Sequence, residues 1–245
     1  MLYIWPYIVF FSWPVILPHV IPILFGDLSS LKSRLPRPIV AITILAIMAL
    51  AVHFNTIVHP FTLADNRHYV FYVFRLLLRH PLVKYVAVPI YFICAWAAIT
   101  ALGNGPAPRR PHSEKPAHPV PKAQSTDEEM TPKPTHTSFL LVYLTSTTLS
   151  LITAPLVEPR YFILPWLIWR LHVQSPPPRP SHQAQSTSAG PRLLGRILQL
   201  SENRSIWLYI ETAWFLLVNL GTCYVFLYRG FEWEQEIGRV QRFMW

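Results

Sequence analysis

Charge is scarce in this 245-residue chain. Asp, Glu, Lys and Arg together make up 13% of it, and only 12 of those side chains are acidic. An ordinary soluble domain carries about a quarter charged residues, so a water-covered globule is excluded. Cysteine is nearly absent. The two present, Cys94 and Cys223, both fall inside apolar stretches, which leaves no disulfide framework or cysteine metal site to read. Glycine is limited to eight residues, with no Gly-rich loop of the kind that cradles phosphate. No zinc-finger or RNA-recognition pattern occurs, so the net charge of +9 does not point to nucleic acid. The basic residues lie scattered between apolar blocks, where membrane lipids and phosphorylated lipids are the natural partners. The N-terminus has neither a basic n-region nor a small-residue cleavage site, so it lacks the form of a cleavable signal.

What the chain has is hydrophobicity, at 52% of residues, in blocks near the 20 or so residues that cross a bilayer as a helix. The blocks read as five spans: 2–25, 39–58, 82–102, 138–157 and 206–228. Pro6, Pro14, Pro18 and Pro22 interrupt the first, which predicts a kinked helix whose freed carbonyls are satisfied by neighbours. Within it His19 is read as a buried, hydrogen-bonded residue or as a polar-path residue. Lys32, Arg34 and Arg37 face only Asp27 in the first loop, which places that loop in the cytoplasm by the positive-inside rule. The segment after Val58 then falls on the lumenal side.

Two stretches break the pattern by composition. Residues 103–137 hold eight prolines with almost no apolar periodicity and read as a disordered linker, as does the Pro/Ser/Gln-rich stretch within 173–203. The first could serve as a ligand for SH3-type modules. Directly after the fourth block comes Glu158-Pro159-Arg160 followed by nine apolar residues, Tyr161 to Trp169. Nine are too few to cross, so an interfacial or re-entrant piece is expected. The domain reading is therefore 1–102, 103–137, 138–172, 173–203 and 204–245, the last comprising a span that starts in the lumen and a cytoplasmic tail. On that topology the sequon Asn203-Arg204-Ser205 is lumenal.

The densest polar cluster is 58–72, VHPFTLADNRHYVFY. Asp65, Asn66, Arg67, His68 and Tyr69 are consecutive, and buried charge costs about 2.5–3.5 kcal/mol per residue at a bilayer centre, so this corner belongs at an interface or in a cavity. His68, Tyr72, Arg75 and Arg79 then follow helical spacing, which predicts a short interfacial helix with a basic stripe ending near His80. Asp65 reads as its N-cap, and the arginines either snorkel to headgroups or face an anion such as phosphate. Glu158 and Arg160 read as an ion pair at the membrane edge. Glu211, in the last span, is the intramembrane carboxylate; it either reaches water or pairs with Arg204.

The run HPFTLADNRHYVFY, together with RYFILP at 160–165 and QRFMW at 241–245, resembles the endoplasmic-reticulum glucosyltransferases that move the last glucose from dolichyl-phosphate-glucose onto the lipid-linked oligosaccharide. The resemblance implies an all-α polytopic membrane protein, the C-terminal part of a GT-C type glycosyltransferase, with the active face lumenal. It implies an inverting transfer that forms an α-1,2 linkage, with the dolichyl-pyrophosphate-linked oligosaccharide as acceptor. Such chemistry needs a carboxylate to take the acceptor proton and cations to hold the departing phosphate. It requires no cofactor or metal, and no DxD pair is present.

On these expectations Arg67 holds the phosphate, with His68, Arg75 and Arg160 behind it. Asn66 and Tyr69 bond sugar hydroxyls, Asp65 is a possible base, and Glu158 shapes the lumenal site. The acidic motif of the family's first lumenal loop has no match here, so the 245 residues read as a C-terminal fragment that does not catalyse on its own. Two other classes remain: a transporter or channel subunit lined by His19 and Glu211, and a scaffold whose partners bind the first linker. Deleting that linker abolishes the scaffold function but spares the enzyme.

Overall fold

The computed structural model describes residues 2–24, 35–55, 68–103, 137–152, 158–173, 204–232, 238 and 240–242. Seven helices and a short ribbon occupy them: α1 Ile4–Leu24, α2 Pro38–Asn55, α3 Tyr69–Leu78, α4 Val83–Gly103, α5 Thr137–Ile152, α6 Arg160–His172, α7 Arg204–Tyr228, β1 Gly230–Glu232 and β2 Val240–Arg242. The chain is an all-α polytopic membrane protein with a small antiparallel ribbon, unforeseen in the sequence, at its C-terminal side. Three helices, α1, α4 and α7, are long and apolar enough to cross a membrane by length and composition. α2 and α5 are apolar but shorter, so two of the five expected spans fall below that length as described.

The bundle is built on α1. Pro14 carries no N–H for the carbonyl of Phe10, and α1 kinks there, with Ser12 at φ −124°, ψ 17°. The indole Nε1 of Trp214 in α7 donates to that Phe10 carbonyl at 2.8 Å. A carbonyl released by proline is thus satisfied by a neighbouring helix, as apolar surroundings require. Ile4, Ile8, Val15, Ile16 and Val20 of α1 pack with Ala97, Ala98, Ala101 and Leu102 of α4. The alanines remove side-chain bulk and let the two backbones approach closely. Trp169 of α6 fills the centre, fully buried, and donates Nε1–H to the carbonyl of Ala98 at 3.1 Å.

Ring pairs, hydrogen bonds and apolar packing fix the directions of the six helices other than α3. Tyr3 meets Tyr91 at 5.7 Å between centroids, and residues further along α1 join the later part of α4, so α1 and α4 run parallel. In α2, Met48 and Val52 pack with Ala87, Val88 and Tyr91, so α2 ends where α4 begins. Phe139 stacks on His172 at 3.9 Å and the Tyr143 hydroxyl donates to the Pro165 carbonyl at 3.2 Å, which makes α5 and α6 antiparallel. Tyr7 meets Phe162 at 5.4 Å and Trp166 Nε1 donates to Ser12 Oγ at 2.8 Å, so α6 runs with α1. Finally Glu211 pairs with Arg170 while Phe215 meets Trp166 at 6.0 Å, so α7 runs against both.

The bundle therefore has two ends. At one, the corner end, α1, α4 and α6 begin, α2, α5 and α7 finish, and α3 lies alongside. At the other, the linker end, both proline-rich linkers and the first loop join the helices. Tyr161–Trp169, expected as an interfacial or re-entrant piece, lies within α6, whose first and last turns sit toward opposite ends of the bundle. Because α6 returns the chain to the linker end, α7 starts there, and the ribbon lies at the corner end. The sequence reading places the start of the last span in the lumen and the tail in the cytoplasm.

Candidate functional site at the corner end

α3 attaches the basic stripe to the bundle by its opposite face. Val70 and Phe74 are buried, and Leu77 packs with Val52, Ala87 and Tyr91, a spacing of four and three that makes one helical stripe. Phe74 meets Tyr3 edge-on at 5.6 Å. Tyr72, Arg75 and Arg79 are left exposed, as the spacing predicts. The exposed Arg75 guanidinium lies 5.7 Å from the Phe71 ring centre, a cation–π distance. His68, half-buried and extended at φ −94°, ψ 137°, holds the N-cap position without a side-chain cap bond. Asp65 is thus not the cap of this helix, which begins four residues later at Tyr69. The helix also ends sooner than expected, at Leu78 with Arg79 as C-cap rather than at His80. Asp65, Asn66 and Arg67 lie outside the described residues, as does the Tyr69 side chain.

Glu158 and Arg160 reach the same end by a separate route. They sit at the start of α6, where Phe162 seats the helix against Tyr7, one turn along α1 from the Tyr3 that receives α3. The two form an ion pair, with the Arg160 side chain 69% exposed, and Arg160 also lies 5.3 Å from the Tyr161 ring centre. The structure therefore brings HYVFY and RYFILP, which start 92 residues apart at His68 and Arg160, to one end of the bundle.

A third group stands at this end, in which sequence reasoning took Lys84 as a snorkelling anchor of the third span and did not single out His53 or Tyr85. His53, in the last turn of α2, shares a hydrogen bond between Nδ1 and the Tyr85 hydroxyl at 2.7 Å. The Lys84 ammonium stands 5.2 Å from the Tyr85 ring centre. The signal was available: His53 falls just before the polar corner and Lys84-Tyr85 just after α3, so the helix order places them together. His80 is engaged locally, its Nδ1 accepting from the Leu82 backbone N–H at 3.2 Å. Among the described residues no three His, Cys, Asp or Glu side chains converge as a metal-holding group.

The intramembrane carboxylate has a different partner from those expected. Glu211, 6% exposed, receives two hydrogen bonds from Arg170, Nε to Oε1 at 2.8 Å and Nη2 to Oε2 at 2.7 Å. Arg204 stands about two turns before it on the same helix, and the Arg204 side chain lies outside the described residues. The pair lies toward the linker end, away from α3.

The exposed Tyr72, Arg75 and Arg79 of α3 at one end of a multi-helix apolar bundle define the class, a polytopic membrane protein with a basic surface at one end. Residues 1–171 match the model of the DIE2/ALG10 family, and the chain belongs to that family. It is 42% identical to the Dol-P-Glc:Glc(2)Man(9)GlcNAc(2)-PP-Dol alpha-1,2-glucosyltransferase of Aspergillus fumigatus and 40% identical to that of Emericella nidulans, with 100% of this chain and 49% of each relative covered. The protein of the same name from Pyricularia oryzae is 37% identical over 100% of this chain and 44% of its own length. The chain thus spans about half the length of the curated relatives it matches. No solved structure matches it.

Proposed function

We propose that this chain supplies part of the machinery that transfers glucose from dolichyl-phosphate-glucose to the diglucosylated dolichyl-pyrophosphate-linked oligosaccharide, forming the terminal α-1,2 linkage. It does so in the endoplasmic-reticulum membrane with the corner end in the lumen. The observation that carries this reading is family membership, with 42% identity along the whole chain to a relative of that name. The convergence of α3 and the start of α6 on one end supports it, since the two segments that most resemble the family then face one substrate.

In the transfer, the acceptor 2-hydroxyl oxygen attacks the anomeric carbon of glucose and its proton passes to a carboxylate. The bond from that carbon to the phosphate oxygen breaks, the configuration inverts from β to α, and dolichyl phosphate leaves. Arg67 clamps the phosphate through two guanidinium N–H groups. His68 and Arg75 add positive charge from the start and the outer face of α3. Arg160 contributes less, because Glu158 offsets it. Asn66 and Tyr69 bond glucose hydroxyls, and Asp65 is the candidate base in this chain. Phosphate is a good leaving group, so cationic side chains suffice and no metal or cofactor takes part. A transport role is disfavoured by Glu211, whose charge is engaged by Arg170 instead of lining a path.

The test is complementation of cells lacking the last glucosylation step, with lipid-linked oligosaccharides resolved by glucose number. This chain alone, and joined to the upstream half of a relative, should be compared. Three glucoses are expected from the joined form, falling to two with Arg67→Ala and staying at three when 104–136 is deleted. Retention of three glucoses by the Arg67→Ala variant overturns the assignment.

A further inference from the structure

We infer that the C-terminal ribbon lies on the same face of the membrane as the 58–68 corner, opposite both proline-rich linkers. On the function proposed above, that face is the one that meets substrate. The inference follows from helix directions, so it stands on geometry that charge counting did not reach. α6 enters at the corner end, with Phe162 on Tyr7, and finishes at the linker end, with His172 stacked on Phe139 at the start of α5. Its 13 residues rise about 20 Å, short of a hydrocarbon core of about 30 Å, yet its two ends are fixed by separate partners. α7 then starts where α6 finished. Arg170 holds Glu211, and one turn later along α7 Phe215 meets Trp166, one turn earlier along α6.

From Phe215 to Tyr228 α7 continues for 13 residues, about 20 Å, toward the corner end. There the ribbon folds back on it. Gly230 pairs with Arg242 and Glu232 with Val240. A Cβ at position 230 would collide with the Val240 side chain, so glycine permits the approach. Arg242 Nη1 donates to the carbonyls of Phe226 and Leu227, which have no partner further along the helix. A cation at a helix C-terminus is also favoured by the helix dipole. The ribbon is thus fastened to the end of α7 and carried to whichever side α7 reaches.

The experiment uses the full chain in sealed microsomes. In a Cys94→Ala, Cys223→Ala background, single substitutions Thr62→Cys, Ser113→Cys, Ser188→Cys and Val240→Cys are probed with a membrane-impermeant maleimide before and after permeabilisation. Thr62→Cys and Val240→Cys are expected to share one labelling behaviour, and Ser113→Cys and Ser188→Cys the other. An epitope fused after Trp245 on the otherwise unaltered chain gives a second reading by protease protection. Labelling of Val240→Cys together with Ser113→Cys, or of Ser188→Cys together with Thr62→Cys, overturns the inference. If the corner and ribbon agree but both label from the cytosolic side, the placement stands and the lumenal reading of the function falls.

Discussion

The Arg170–Glu211 pair can be used to measure how α7 is held. Both hydrogen bonds are short, and the carboxylate is the more enclosed partner, with 8% of its side chain exposed against 25% for the guanidinium. Removing one member of a buried pair typically costs about 3–5 kcal/mol, because a charge is left without compensation. Arg170→Met strands the enclosed carboxylate and is expected within that range. Glu211→Leu strands a guanidinium that retains some access to water, so about 2–3 kcal/mol is expected, below the buried-pair range.

Combining the two replaces the pair with apolar side chains of similar volume. The double variant should recover most of the loss, since such replacements are often neutral or stabilising by about 1–4 kcal/mol. The measurement is a double-mutant cycle on reversible unfolding in detergent, with a coupling of about 2 kcal/mol or more expected. Ordinary interhelical hydrogen bonds in membranes average about 0.6 kcal/mol, so the two cases separate cleanly. Lys84→Met, at the other end of the bundle against Tyr85, is the control and should show no coupling to Glu211→Leu. A coupling below about 0.6 kcal/mol would refute the reasoning, and with it one of the contacts that sets the direction of α7.

Three further outcomes follow from the packing. Trp214→Phe keeps the ring against Phe10 and Trp13 but removes the donor to the Phe10 carbonyl, for a loss of about 0.5–1.5 kcal/mol in the same unfolding assay; in a Pro14→Ala background, where α1 regains its own donor, the loss should shrink. Trp169→Ala empties the centre of the bundle and should cost about 3–5 kcal/mol, whereas Trp169→Phe should cost less because the Ala98 carbonyl keeps its helical partner. Phe74→Ala should loosen α3, read as faster proteolysis between α2 and α4, while Tyr72→Ala, on the exposed face, should leave the cleavage rate unchanged.

Much of this arrangement was legible in the residues because bilayer physics is restrictive. Apolar block length identified the three long helices, and the prolines of the first block announced that its carbonyls would seek outside donors. The spacing of Tyr72, Arg75 and Arg79 gave the outer face of α3 correctly, since the buried Val70 and Phe74 complete the same amphipathic pattern. Its ends were less secure. The Asp65 cap failed because local cap preference carries only about 1 kcal/mol, and the described helix starts at Tyr69 instead. Glu158 and Arg160 paired as adjacent opposite charges should, two residues apart across a turn. Arg170 drew no notice, for a basic residue that ends an apolar run reads equally as a headgroup anchor. Only tertiary packing shows that it meets Glu211.

α6 explains why the second half of the topology was not legible. Counting apolar residues asks whether a segment can shield its own length from water and lipid, and Tyr161–Trp169 fails that count. The count does not ask what surrounds the segment. Here α1, α4 and α5 cover one face of it, with Trp169 fully buried and Phe162 nearly so, while Ile163, Leu164 and Leu167 on the other face stay exposed. A helix held by protein along one face and near both ends need not match the bilayer thickness, because its ends are not left in hydrocarbon. Three indole or hydroxyl donors make the packing specific: Trp166 to Ser12, Trp169 to Ala98 and Tyr143 to Pro165. Each is a polar tip on an apolar body, so each satisfies itself only in one register. The direction of α6 decides whether α7 begins at the linker end, and that direction is written in these pairings between distant residues rather than in any local pattern.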